Sequence, residues 1–116
     1  MLFVCHPTCT TCRRAAAWLR DRGLAFETRD IRADRPTAEE LRRWQEQSGL
    51  PLRRFFNTSG QSYRTLGLKD RLPVLSEDEQ LALLASDGML VKRPLLIDGD
   101  QVLVGFREAE WEAALG

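Results

Sequence analysis

"LFVCHPTCTTCRRAAAWLRDRGLAFETRDI", residues 2–31, is the stretch that decides how the chain folds. An apolar run over 2–5 is broken by His6-Pro7-Thr8. From Thr10 to about Arg22, Cys12, Ala15, Ala16 and Leu19 recur at three- and four-residue steps, the period of one helix face. Gly23 stands where a helix ends in a left-handed residue. Residues 24–31 then set Leu24, Phe26 and Thr28 against polar neighbours, the alternation of a strand. Strand, helix, strand predicts a right-handed crossover between two parallel strands.

The same stretch holds all three cysteines and the only histidine of the chain. Cys9 falls at the strand-to-helix junction, where unpaired amides and the helix dipole favour negative charge. A thiolate there forms at lower pH than in an ordinary cysteine. Cys12 lies three residues on, on the same helix face. Cys-x-x-Cys opening a helix in a βαβ unit points to thiol redox chemistry. A metal site would need Cys5, His6, Cys9 and Cys12 together, whereas structural zinc sites pair two separated ligand couples. No metal is therefore expected. The Cys-x3-Cys-x2-Cys spacing also matches an iron–sulfur loop of radical S-adenosylmethionine enzymes, but the chain is too short for their barrel. Cys5 reads as a core residue of the first strand, and His6 as a loop residue beside the site.

At 116 residues the chain reads as one domain, 1–116. Its 17 basic and 17 acidic residues balance, which argues against direct nucleic-acid binding over a broad surface. The doublets Arg13-Arg14, Arg42-Arg43 and Arg53-Arg54 read as solvated helix faces. No apolar run approaches the ~18 residues of a membrane span, and no charged leader precedes an apolar one. Three cysteines without a secretory leader suit a cytoplasmic, reducing setting.

Beyond residue 35 the pattern turns helical. Thr37 with Glu40, and Ser76 with Glu79, are capping boxes that open helices. Tyr63 to Leu68 is a further short helical candidate, and Asp87-Gly88 stops the last helix before the strands return. "PLLIDGDQVLVGF" (94–106) is two apolar runs joined around Asp98-Gly99, a hairpin signal. "REAEWEAAL" closes the chain as an amphipathic helix with Ala109, Trp111 and Leu115 as inward candidates. This order, βαβ, helices, ββα, resembles an α/β thioredoxin-like fold. Its mixed sheet would come from residues 1–35 and 88–116, and a helical subdomain would be inserted at about 36–87. In such folds the proline opening the penultimate strand, here Pro94, is cis and faces the catalytic cysteine. Arg93 would then lie next to Cys9.

"PTCTTCRRAAAWL", "FFNTSGQSYR", "SDGMLVKRPLLIDGDQVLVGF" and "EAEW" resemble the ArsC/Spx family across essentially the whole chain, nearest to its reductase-like branch. The resemblance implies an arsenate reductase-type oxidoreductase with Cys9 as nucleophile. Arsenate would be held by the amides of Thr10, Thr11 and Arg13, beside Pro94 and the Arg93 guanidinium. Cys12 matches the second cysteine of redox-switch members, which implies a Cys9–Cys12 disulfide. No bound cofactor is implied, only an external thiol reductant, thioredoxin or glutathione with glutaredoxin. The family's reductases gather three arginines around the cysteine. Here Asn57 stands where one is expected, and Val104-Gly105-Phe106 replaces the segment carrying another. Arg54, Arg64, Lys92 and Arg107 are the candidate substitutes. Two alternatives stay open: an Spx-type redox regulator binding the RNA polymerase α-subunit, and a general disulfide reductase.

Overall fold

The first strand forms the middle of the molecule. In the computed structural model, which describes residues 1–116, β1 (Leu2–Cys5) pairs in parallel with β2 (Glu27–Asp30) and antiparallel with β3 (Leu95–Asp98). A fourth strand, β4 (Gln101–Val104), pairs antiparallel with β3, giving the order β2-β1-β3-β4. Alternation of side chains across a pleated sheet sends successive residues to opposite faces. Val4, Leu95, Val102 and Val104 enter one core with the helical segment, while Phe3, Cys5 and Leu96 enter another. Covering both faces makes this the expected thioredoxin-like mixed α/β fold.

The second face is covered by α1 (Thr10–Asp21), which buries Cys12, Ala15, Ala16 and Leu19, with Trp18 added. Gly23 has φ +69°, the left-handed residue after the helix end. Strand β2 is shorter than its alternation suggests. Leu24 and Phe26 precede it and cap the second core, Phe26 lying edge-on to Phe3 with ring centroids 5.3 Å apart. The strand itself is polar because it is a sheet edge, where exposed side chains blunt further pairing. The closing helix α6 (Glu108–Leu115) buries Trp111, whose Nε1 donates to the Gly105 carbonyl at 3.0 Å. Ala109, expected inward, is exposed. Trp18, Phe106 and Trp111 meet edge-to-face in a three-ring cluster.

Both capping boxes form, opening α2 (Ala38–Ser48) at Thr37 and α5 (Glu77–Ser86) at Ser76. Between them lie a 3-10 turn at Leu52–Phe55, α3 (Gln61–Thr65), α4 (Leu68–Arg71) and a second turn at Leu72–Val74. The segment is not purely helical. Phe56 bridges to Val91, the Asn57 amide donates to the Leu90 carbonyl and the Lys92 amide to the Phe55 carbonyl, both at 2.7 Å. That short extended pairing hooks the middle of the helical segment onto the approach to β3, and so carries Asn57 towards Arg93. The hairpin turn falls at Gly99-Asp100, one residue later than read. Only Gly99 has positive φ, +59°, which is the pattern of a II′ turn rather than I′.

Candidate active site

Cys9 is the residue before the first turn of α1, with extended backbone (φ −76°, ψ 124°). Its amide donates to the His6 carbonyl and its carbonyl accepts from the Arg13 amide, each at 3.0 Å. The loop is braced from within by His6, which is buried. His6 Nδ1 accepts from the Thr8 amide at 3.2 Å and meets Thr8 Oγ1 at 2.9 Å. The His6 amide in turn donates to Cys12 Sγ at 3.4 Å.

The two cysteines of the pair sit in contrasting environments. All three cysteines are free thiols; Cys9 is half-buried, Cys5 and Cys12 buried. Burial acts to raise the Cys9 pKa, but the Cys12 amide, the Cys12 thiol, the Thr11 amide and the Arg93 guanidinium together outweigh it and lower the pKa. The sulfur makes no side-chain capping hydrogen bond of ordinary geometry. Convergence of these dipoles and one charge thus lowers its pKa. Cys12 goes the other way. Burial, opposed only in part by the His6 amide, pushes its thiol up to about 12, with the nearby Cys9 charge adding to the rise. The two sulfurs thus shift in opposite directions, Cys9 towards the thiolate and Cys12 towards the protonated thiol.

Cys9 opens on a cavity of about 520 Å³. Arg93 lines it, its Nη1 steadied by the Met89 carbonyl at 3.3 Å. The Arg93–Pro94 peptide is cis. Pro94 is buried behind the site, its carbonyl accepting from the Gly105 amide at 2.8 Å. Thr11 lines the cavity, whereas Thr10 and Arg13 do not. Arg13 departs from its expected role: its amide is taken by Cys9, and its Nε donates to the Pro7 carbonyl at 3.4 Å. Its neighbour Arg14 faces the cavity instead, 100° further round the helix.

Asn57 also lines the cavity and is buried. Its Oδ1 accepts from Ser59 Oγ at 3.2 Å, and its Nδ2 donates to the Met89 carbonyl at 3.5 Å. Met89 therefore serves both Asn57 and Arg93. Of the candidate substitute cations, Arg54, Lys92 and Arg107 reach the cavity. Arg64 does not; its Nη2 donates to the Ser59 carbonyl at 3.0 Å and braces the loop from outside. Arg14 and Arg53, read from the sequence as parts of solvated helix faces, are on the cavity wall. Arg53 and Arg54 are exposed on the short 3-10 turn, and their exposed side is also the cavity wall. The signal available was their place immediately before the Phe55-Phe56-Asn57 hook.

Known proteins with this architecture cover the chain nearly end to end. The uncharacterized protein YusI of Bacillus subtilis is 52% identical over 112 residues, spanning 97% of this chain and 95% of that protein. The global transcriptional regulator Spx of Staphylococcus haemolyticus is 27% identical, spanning 90% of this chain and 78% of that protein. Among solved structures, a Streptococcus mutans protein described as a possible arsenate reductase superposes with a TM-score of 0.89 at 50% identity, covering 98% of this chain and 97% of its own. The ArsC family pattern itself matches residues 5–114, from the end of β1 through the closing helix, and this chain belongs to the ArsC family.

Proposed function

We propose that the chain is a thiol oxidoreductase of the arsenate reductase type, with Cys9 as nucleophile and Cys12 as resolving thiol. The observation that carries this reading is the Cys9 sulfur itself, held towards the thiolate by the helix start and Arg93 at the mouth of a cationic cavity. Thiolates attack electrophilic centres far better than thiols. In the proposed cycle the Cys9 thiolate attacks arsenic of a bound arsenate, and an arsenate hydroxyl takes a proton from solvent and leaves as water. Arg93 and the Thr11 and Cys12 amides balance the oxyanion charge. Cys12 then attacks Cys9 Sγ, losing its proton. The S–As electron pair passes to arsenic, which leaves as arsenite, and a Cys9–Cys12 disulfide remains. Thioredoxin, or glutathione with glutaredoxin, returns the disulfide to two thiols.

Steady-state arsenate reduction with thioredoxin and glutaredoxin supplied separately tests the proposal. Arsenite formation that requires Cys9 supports it; no arsenite above the protein-free background with either reductant sinks it.

The likeness to Spx favours one second reading, in which the same pair senses oxidation and the oxidised protein binds the RNA polymerase α-subunit. Absence of binding to the α C-terminal domain in both redox states removes that alternative.

A further inference from the structure

The cavity in front of Cys9 is much larger and more cationic than a tetrahedral oxyanion requires. An arsenate has five heavy atoms, whereas about 520 Å³ falls in the range of sites that enclose drug-sized ligands. Six cations line it: Arg14, Arg53, Arg54, Lys92, Arg93 and Arg107. No aspartate or glutamate does, in a chain whose acidic and basic residues balance. The charge is therefore segregated, and of the six it is Arg93 that hydrogen-bonds to the nucleophile's sulfur and lowers its pKa. The other five sit where their field reaches a longer ligand.

A second hollow adjoins the first. Its volume is about 670 Å³; it shares Arg53, Arg54 and Thr58 with the first, and Cys9 does not line it. It is walled by the apolar surfaces of Pro51, Leu52, Tyr63, Leu72 and Pro73, with Lys69 at its rim and Glu77 as its only acid. Nearby Val74 is 82% exposed, the most exposed large apolar side chain of the chain. A thiolate at one end, two arginines in the middle and an apolar trough at the other end match a stretch of polypeptide. Small oxyanions fill only the first end.

We infer that these two adjoining hollows together dock an acidic, disulfide-bearing segment of another protein, an inference that rests on the thiol oxidoreductase reading of Cys9. Acidic side chains of the segment face Arg14, Arg53, Arg54 and Arg107, and its apolar residues lie in the trough. The Cys9 thiolate attacks the segment's disulfide, forming a Cys9–partner disulfide and releasing the other partner sulfur as a thiolate. Cys12 then attacks Cys9 Sγ and gives up its proton. The partner's second sulfur leaves and takes up a proton, so the partner is reduced and the Cys9–Cys12 pair oxidised by two electrons. Rim charges of this kind act mainly on encounter rate and are screened by salt.

The test uses the reduced full chain and cysteine-containing octapeptides joined by a disulfide to 2-nitro-5-thiobenzoate, whose release is followed by absorbance. Acidic, uncharged and basic octapeptides are compared with the glutathione mixed disulfide. Electrostatic steering raises such rates by about 10-fold or more, so the acidic octapeptide should react about tenfold faster than the basic one at low salt. The ratio should fall towards unity in 0.5 M NaCl, and the double substitution Arg53→Glu/Arg54→Glu should invert it. Lys69→Glu should slow the acidic octapeptide relative to the glutathione mixed disulfide, because Lys69 lines only the far hollow. Equal rates for acidic and basic octapeptides overturn the inference, as does a glutathione mixed disulfide that reacts as fast as the acidic octapeptide. If Cys9 fails to attack even the uncharged octapeptide, the thiol oxidoreductase reading itself fails, an outcome distinguishable from a missing charge preference.

Discussion

The His6 amide donates to Cys12 Sγ at 3.4 Å while the His6 carbonyl accepts from the Cys9 amide at 3.0 Å, so one buried loop residue positions both cysteines of the pair. Each sulfur then titrates according to its surroundings. Cys12, deep in the core, holds its proton up to about 12. Cys9 loses its own earlier than an ordinary cysteine, because the dipoles and the cation that favour its thiolate exceed the effect of burial.

Alkylation by iodoacetamide across pH reads this directly, since only thiolates react. The midpoint for Cys9 should lie below the usual thiol value of 9.0. Arg93→Ala should move the midpoint up, because it removes a positive charge that favours the ionised form. A midpoint at or above 9.0 in the wild type contradicts the electrostatic account.

The two cysteines should also separate kinetically. Cys9→Ser should abolish arsenate turnover, since no other free sulfur opens on the cavity. Cys12→Ser should leave the first attack intact and change only which reductant sustains turnover, with thioredoxin losing to glutathione and glutaredoxin. Unchanged turnover in Cys9→Ser, measured as arsenite formed, would refute the assignment.

What the sequence disclosed were interactions that close locally. The capping boxes at Thr37 and Ser76 each lie within four residues, and the Cys9–Cys12 relation within one helical turn. The opening βαβ unit was readable because its apolar period changes from strand to helix. Long-range contacts were not. Asn57 comes to share the Met89 carbonyl with Arg93 through the extended pairing of Phe56 with Val91, 35 positions away, and no local pattern encodes that hook. The choice of Arg14 over Arg13 depends on helix rotation relative to the cavity, which the sequence leaves open. Arg53 and Arg54 are exposed, as read, but that exposed surface is also a cavity wall, and a charged doublet looks the same in either setting.

Gly88 is a case where the local explanation was incomplete. Asp87-Gly88 does end α5, but Gly88 is also buried against the far end of β2. A Cβ placed there would sit 2.0 Å from the Ile31 carbonyl oxygen. Backbone cannot yield as a side chain tip would, so Gly88→Ala should lower stability by about 1–3 kcal/mol or more. Urea unfolding measures this, and a loss below about 0.5 kcal/mol would mean that the two segments separate easily.

The link between β2 and α2 makes stability depend on acid. Arg29 grips Glu40 with both terminal nitrogens, at 2.6 and 2.9 Å, while Glu40 Oε1 also accepts the Thr37 amide of the capping box at 3.0 Å. The Arg29 hydrogen bonds lead the causes that hold the Glu40 carboxyl at about 2, against an ordinary 4.5. A carboxyl whose pKa falls on folding stabilises the native state fully above its unfolded value. That stabilisation is lost as pH drops from about 4.5 towards 2. With the Glu40 side chain 24% exposed, partial screening leaves about 2 kcal/mol, within the range for hydrogen bonds to charged groups. Urea unfolding at pH 7 and pH 3 should therefore show a larger acid loss in the wild type than in Glu40→Gln, which keeps the side-chain volume but does not titrate. Parallel pH dependence in the two proteins would rule out Glu40 as the source.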